Sequence, residues 1–289
     1  MKAAAKIILL LGVLLAPAGL RAQVSADALR QDVEFLADSL CAGRAAGTSG
    51  CTEAAAYIIR RLRDAGYEAG VQSFRIDSAR VGHNIVAAAA DAPAKPLILL
   101  TAYYDGLGIL NGNLYPGADS NASGVAALLA VAARVKDRGD VLIVFLDGHN
   151  ANLSGAEVLR KSLKGRRISL LANFDILGSA LAPVDKYWKD YLIALGAEGH
   201  RALLEECNDG IQLHYYHTYY RSRTFTDVFY RRVGDQKGFV ADGVHTIVFT
   251  SGITELTNKP GDAPETLDYT IFAKRVEFIS RFISRYGRK

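Results

Sequence analysis

Continuous apolar runs dominate the middle of the chain. The segments 96–101 and 141–146 carry apolar residues at almost every position, a pattern typical of strands that are buried on both faces. Shorter strand-like runs lie around 71–76, 84–90, 169–174, 191–195, 211–217 and 244–250. The pattern predicts a mixed, mainly parallel sheet of about eight strands that is covered on both faces.

Helical patterns supply the covering elements. Residues 26–40 carry Leu29, Val33 and Leu36 on one side, and a second amphipathic segment at 52–65 ends at Gly66, a typical helix C-cap. Further helical patterns occupy 125–136, 154–164, 200–207 and 269–285. No repeat or Pro-rich linker interrupts residues 23–289. We therefore expect one α/β domain with a three-layer α/β/α sandwich.

The N-terminus has the order of features found in secretory signal peptides. Lys2 and Lys6 precede an apolar run over 7–16, and small residues then lead to Ala22. This order predicts a leader over residues 1–22 and export to the periplasm or the extracellular space. The run is short for a membrane span, and no later segment has the ~20 apolar residues that a span needs.

Composition and charge narrow the class of protein further. The chain has 289 residues, of which 50% are hydrophobic, so a sizeable core is expected. Its formal net charge is +4, but Lys2, Lys6 and Arg21 lie in the predicted leader, which leaves the mature chain near +1. Such a balance does not favour a nucleic-acid-binding protein.

Three cysteines, Cys41, Cys51 and Cys207, remain after the leader. In an oxidising compartment Cys41 and Cys51 could form a disulfide across a short loop, with Cys207 left over. Three buried thiols are the other interpretation, and the spacing does not decide between them.

Polar residues follow the predicted central strands, where open α/β sheets place their ligand sites. Asp105 comes after the strand at 96–103, His149 and Asn150 come after 141–146, and Asp175 comes after 169–174. A glycine-rich turn over 116–124 holds Asp119 between an apolar strand and a helix. These side chains are expected at one edge of the sheet.

Six motifs in this order resemble those of the zinc aminopeptidase family that includes bacterial leucyl-type aminopeptidases, glutaminyl cyclases and the transferrin-receptor ectodomain. They lie at 34–50, at 117–124 (Gly-Ala-Asp-Ser-Asn-Ala-Ser-Gly), at 145–148, at 173–178, at 234–252 and at 260–269. The resemblance covers nearly the whole mature chain. It implies the same α/β/α fold and an ancestral exopeptidase activity.

The resemblance also implies a set of site residues. Family members bind two zinc ions through a bridging Asp, two His, one Glu and one Asp, and a second Glu acts as general base. The bridging Asp matches Asp119, the other Asp matches Asp175, and the Asp that orients the first His matches Asp105. Ser120 stands where the family motif has a second Asp.

The remaining family positions are substituted. Tyr103 occupies the position of the first His, and Asn258 that of the second. His149 replaces the general base, and Asn150 replaces the Glu ligand. Two carboxylates without imidazole hold zinc weakly, so the substitutions predict a catalytically degenerate pseudo-peptidase with no cofactor, or zinc if any.

Such a protein would act through its cleft, by binding a peptide, a small molecule or a protein partner. The alternative is an active zinc-dependent metallohydrolase with a rebuilt site made by Asp119, His149 and Asp175. Three such ligands match open catalytic zinc sites in number.

The other histidines give no comparable signal. His214 and His217 lie in a tyrosine-rich segment and would point to opposite faces of a strand. His83, His200 and His245 have no cluster of ligands near them in sequence, so we interpret them as ordinary structural or surface residues.

Overall fold

The computed structural model describes residues 23–88 and 96–288, over which the chain forms ten strands and eight α-helices. The strands are β1 (Glu68–Arg75), β2 (Val81–Ala88), β3 (Leu97–Tyr103), β4 (Gly108–Leu110), β5 (Asn113–Tyr115), β6 (Val141–Leu146), β7 (Ile168–Phe174), β8 (Tyr191–Leu195), β9 (His214–Tyr216) and β10 (Thr246–Thr250). The predicted leader over 1–22 and the end of the predicted strand at 84–90 lie outside the described residues.

The helices alternate with these strands in the middle of the chain. They are α1 (Ala26–Ala37), α2 (Ser49–Asp64), α3 (Gly124–Val135), α4 (Ser154–Ser162), α5 (Arg201–Asn208), α6 (Arg223–Arg231), α7 (Lys237–Ala241) and α8 (Tyr269–Arg285). The hairpin of β4 and β5 and the helices α6 and α7 were not predicted from the sequence. The predicted strand at 211–217 shrinks to the three residues of β9.

Eight strands form one mixed sheet in the order β1-β2-β6-β3-β7-β10-β8-β9. The centre is parallel, because β3 pairs in parallel with β6 and β7, and β7 with β10. The pairs β1–β2, β2–β6 and β8–β10 are antiparallel. The predicted mixed sheet of about eight strands with flanking helices is therefore confirmed.

The side chains of β3 alternate between the two faces of the sheet and show how the layers form. Ile98, Leu100 and Ala102 join the larger core with α1, α2, α3, α5 and α8. Leu99 and Tyr103 join the smaller core on the opposite face, with α4 and α7. Every residue of β3 is buried, as the continuous apolar run predicts.

Local capping fixes where the helices begin. The Ser25 side chain accepts a hydrogen bond from the backbone N–H of Ala28 at α1, and Thr48 accepts one from Cys51 at α2. Asp268 accepts two, from Thr270 and Ile271, at α8. Such N-caps satisfy amide groups that have no partner within the helix.

The three cysteines are free and buried. The Cys41 thiol donates to the carbonyl oxygen of Phe35, whereas the Cys51 thiol lies 3.6 Å from Asp147 Oδ1. The structure thus has three thiols and no Cys41–Cys51 disulfide. Among the helices of the described ranges, none is long and apolar enough to cross a membrane.

Candidate functional site

The glycine-rich turn before α3 lies at the carboxyl edge of the parallel strands. Asn121, which is fully buried, donates through Nδ2 to the carbonyl oxygens of Tyr103 and Phe174 at 3.1 and 3.0 Å. Its Oδ1 accepts from the backbone N–H groups of Gly124 and Ile176 at 3.2 and 2.9 Å. One amide side chain therefore joins the ends of β3 and β7 to the start of α3.

A buried arginine holds the other end of this turn. The Arg44 guanidinium donates to the carbonyl oxygens of Tyr104, Pro116 and Gly117 at 2.8–2.9 Å, and also to that of Leu36. Gly117 has a φ of +59°, and a Cβ there would lie 2.6 Å from the carbonyl oxygen of Ser120. A glycine is therefore required at this position.

Asp119 uses one oxygen within this turn and leaves the other without a protein partner. Its Oδ1 accepts from the Ser123 hydroxyl at 3.0 Å and from the backbone N–H groups of Gly178 and Ser179 at 2.8 and 3.2 Å. Its Oδ2 is buried and has no hydrogen-bond partner among the described residues. Burial, reinforced by the charge of Asp262, raises the pKa of Asp119 to about 7.

Asp262 supports the turn from the loop that precedes α8. Its carboxylate accepts from the backbone N–H groups of Asp119 and Ser120 at 2.7 and 3.0 Å, and from the Ser120 hydroxyl at 2.6 Å. Ser120 is thus a hydrogen-bond partner of Asp262 and not of Asp119. Asp262 lies in the motif over 260–269, but no role was predicted for it from the sequence.

Asp105 organises the turn that follows β6. Its Oδ1 accepts from the backbone N–H of His149 at 2.8 Å, and its Oδ2 accepts from the backbone N–H and the side-chain amide of Asn150 at 3.0 and 3.3 Å. The residue that orients an imidazole in the related family here orients a backbone turn. Burial raises the pKa of Asp105 to about 6.

His149 is held from two sides. Its Nδ1 lies 2.8 Å from Oδ2 of Asp235, a residue only 3% exposed. Its ring stacks on that of Tyr103, with centroids 3.7 Å apart and planes at 12°. Asp235 was not predicted from the sequence, because it lies 86 positions after His149 and its Gly-Asp-Gln motif carries no spacing signal.

Burial and neighbouring charges have opposite effects on the pKa of His149. Burial lowers the pKa of His149, but the charge and hydrogen bond of Asp235 outweigh it, with help from Asp175 and Asp105, so that the pKa rises to about 9. Burial raises the pKa of Asp175 to about 6. Near pH 7 His149 is therefore a cation and Asp175 an anion. Burial also raises the pKa of Tyr103 well above its ordinary value, so its phenol stays protonated.

Tyr103, His149 and Asp175 line one cleft of about 120 Å³. The exposed Asn258 lies at its rim, with Thr257 beside it. The rest of the wall is mainly apolar and comes from the sheet and from the segment around α6: Ile176, Leu195, Tyr219, Phe229, Val233, Val248 and Ile253. The cleft therefore combines an apolar wall with a few polar groups, an arrangement that small-ligand sites share.

The α6 side of this cleft is fastened to the sheet. The rings of Tyr219 and Phe229 stack with centroids 4.6 Å apart. Gln236 donates to the carbonyl oxygens of Phe229 and Val233 at 2.7 and 2.8 Å, and accepts from Asn173 of β7 at 3.3 Å. These contacts fix the wall opposite the His149–Tyr103 stack.

The residues present do not fit a two-zinc centre. Zinc sites are made by thiolate, imidazole and carboxylate ligands, whereas the substituted positions hold a protonated phenol at Tyr103 and neutral amides at Asn150 and Asn258. Asp119 offers one free oxygen, and a pKa of about 7 leaves it partly protonated at neutral pH.

The expected convergence of Asp119, His149 and Asp175 is not found. Across the described part of the chain, no group of three or more His, Cys, Asp or Glu side chains is placed to hold a metal ion. The physical reason is that Asp235 and Tyr103 hold the His149 ring, while backbone N–H groups and Ser123 hold Asp119. Asp175 and His149 do share the cleft, but Asp119 is not among the residues that line it.

Comparisons with known proteins agree on the fold. The model of peptidase family M28 matches residues 84–283. Among curated proteins no match is found. Among solved structures, the LapA aminopeptidase of Legionella pneumophila is similar at a TM-score of 0.71 and 11% identity, over 91% of this chain and 71% of that one.

Two further solved structures match this chain over almost the whole of their own length. A zinc aminopeptidase of Bacillus subtilis has a TM-score of 0.72 and 11% identity, over 92% of this chain and 97% of that one. The glutaminyl cyclase of Porphyromonas gingivalis has a TM-score of 0.71 and 17% identity, over 91% and 99%. At such identities these likenesses establish the fold only. Because the family match spans well over half of its residues, the chain belongs to peptidase family M28.

Proposed function

We propose that this chain is an exported, catalytically degenerate M28 protein whose cleft binds the N-terminal residue of a peptide, or a free amino acid, without cleaving it. The observation that carries the proposal is the pairing of His149 with Asp235. At the general-base position an imidazole lies 2.8 Å from the Asp235 carboxylate and stacks on Tyr103, and this carboxylate favours the imidazolium form. A cation there cannot accept a proton from an attacking water.

The charges of the cleft favour an α-amino compound as ligand. Asp175 supplies a carboxylate for an α-ammonium group, and the imidazolium of His149 can donate to a carbonyl oxygen. The aromatic rings of Tyr219 and Phe229 offer an apolar surface to the side chain. A volume of about 120 Å³ suits one residue better than a long peptide.

A binding experiment tests this assignment. Titrating the protein with leucinamide should give saturable binding, measured by calorimetry or by chemical-shift changes, whereas N-acetyl-leucinamide should not bind because its amine carries no charge. Asp175→Asn should weaken leucinamide binding by about tenfold or more, since a charge-assisted hydrogen bond contributes ~1.5–3 kcal/mol. Asp209→Asn, which changes an exposed acid elsewhere, should bind as the wild type does. Equal binding of both ligands would contradict the proposed mode.

An activity experiment tests the loss of catalysis. The purified protein, with and without added Zn²⁺, should show no turnover of amino-acid arylamides. Stoichiometric zinc together with EDTA-sensitive turnover that Asp119→Ala abolishes would overturn the proposal and restore the metallohydrolase alternative.

Export is tested separately. Mass spectrometry of protein recovered from the periplasm or medium of the producing cells should find a mature N-terminus at Gln23. Retention of the full-length chain in the cytosol would contradict this part of the proposal.

A further inference from the structure

Two histidines face each other at the end of the sheet away from the cleft. His200 ends a short 3₁₀ turn after β8, and His245 immediately precedes β10. Because β8 and β10 are antiparallel neighbours, the end of one meets the start of the other. The two Nε2 atoms lie 2.8 Å apart.

The pair is separate from the proposed ligand site. His245 lies three positions before Val248, the nearest residue of β10 that lines the cleft. At 3.3–3.4 Å per strand residue, this separation is about 10 Å. No residue of the pair lines the cleft.

The contact places two ring nitrogens where one ion could reach both. A contact of 2.8 Å between two Nε2 atoms requires a proton on one of them and a lone pair on the other. A metal ion bound by both Nε2 atoms would replace that proton, which moves to Nδ1 of the same ring.

We propose that His200 and His245 form a site for one divalent transition-metal ion of the Zn²⁺ or Cu²⁺ type. Tetrahedral zinc with Zn–N bonds of 2.0–2.1 Å needs an N···N separation of about 3.3 Å. The observed 2.8 Å would have to open by roughly half an ångström. His245 is exposed, so its ring is free to make this adjustment.

The surroundings orient one of the two ligands. The His200 ring packs edge-on against Phe282 and Tyr286, with centroids 5.7 and 5.4 Å away. Among the described residues no third His, Cys, Asp or Glu side chain is placed to share the ion, so water would complete its coordination. Two imidazoles with water suit borderline metals and favour Cu²⁺ over Zn²⁺.

Metal binding would add a link between elements that the pairing of β8 with β10 already brings together. The ion would link the turn after β8 to the start of β10. Since it binds only the folded chain, it would also raise the thermal midpoint in proportion to the logarithm of its concentration.

The test uses the mature chain without an affinity tag, treated with EDTA and then dialysed. Calorimetric titration with CuCl₂ and ZnCl₂ should give about one ion per chain and a rise in the melting temperature. His200→Ala and His245→Ala should each lower the affinity by about tenfold or more. His214→Ala, which removes another exposed histidine, should leave the affinity unchanged. Electron paramagnetic resonance of the Cu²⁺ form should show two nitrogen ligands, and each pair variant should lose at least one of them.

Three results would overturn the site: no ion bound, binding that survives both pair variants, or equal losses in His214→Ala. His245→Gln retains a polar side chain and guards against a folding defect, because it should melt near the wild-type temperature without metal. Asp175→Asn should bind the metal normally. Loss of metal binding in that variant would assign the ion to the cleft and overturn the His200–His245 site.

Discussion

Replacing Asp235 with asparagine should turn His149 from a cation into a neutral base near pH 7. In the native protein burial lowers the pKa of His149, but the charge of Asp235 raises it further, to about 9. The Asp235→Asn side chain keeps its shape and an oxygen that can accept from Nδ1. Without the charge of Asp235, burial lowers the pKa of His149, and only the charges of Asp175 and Asp105 oppose this effect. The pKa should then fall toward 6.5.

The size of the effect follows from these values. The rise from 6.5 to about 9 corresponds to ~3 kcal/mol of stabilisation. Because the pKa is raised in the folded state, this contribution is fully present below pH 6.5 and is lost as the pH rises through 9. Asp235→Asn should therefore be less stable than the wild type by ~3 kcal/mol at pH 6, and the gap should close by pH 10.

Two measurements check this prediction. NMR titration of the six histidine rings gives the pKa of His149 in both proteins, with His83 as an internal control. Urea unfolding at pH 6 and pH 10 gives the stability gap, with Asp209→Asn as the control variant. A His149 pKa above 8 in Asp235→Asn, or a gap that is the same at both pH values, would refute the electrostatic reasoning.

Three further predictions concern the turn and the thiols. Arg44→Met should lower the free energy of unfolding in urea by at least ~2 kcal/mol, because it leaves buried carbonyl oxygens without donors; a smaller loss would contradict the assigned role. The raised pKa of Asp119 means that stability is lost as the pH rises from 3.8 through about 7. Asp119→Asn should therefore gain on the order of 4 kcal/mol over the wild type at pH 8 but not below pH 4, and the absence of such a difference in urea unfolding would refute this. Burial raises the pKa of Cys41 to about 11, so Cys41, Cys51 and Cys207 should react with a thiol reagent only after unfolding; fewer than three reactive thiols in the unfolded chain would indicate a disulfide.

The central sheet could be predicted from the sequence because its signal is local. A strand that is buried on both faces must be apolar at successive positions. The strands β3 and β6 show this pattern. Polar residues then mark the ends of the same strands, which is why Asp105, His149 and Asp175 were found at one edge. These inferences need no knowledge of distant contacts.

The partners of these residues could not be predicted in the same way. Asp235 and Asp262 reach the site through loops, 86 and 143 positions from their partners His149 and Asp119. The helix α6 was also missed, although Phe225 and Phe229 have helical i, i+4 spacing, because the tyrosines before it favoured a strand. His200 and His245 looked ordinary because 45 positions separate them in sequence.

The four hydrogen bonds of Asn121 have a consequence for how the molecule can move. They tie β3, β7 and the start of α3 into one unit, so these elements should exchange amide hydrogens slowly and together, whether or not a ligand is bound. The helix α6 has no fully buried side chain and should exchange faster. The strand ends at the base of the cleft should therefore keep their positions when a ligand enters the proposed site.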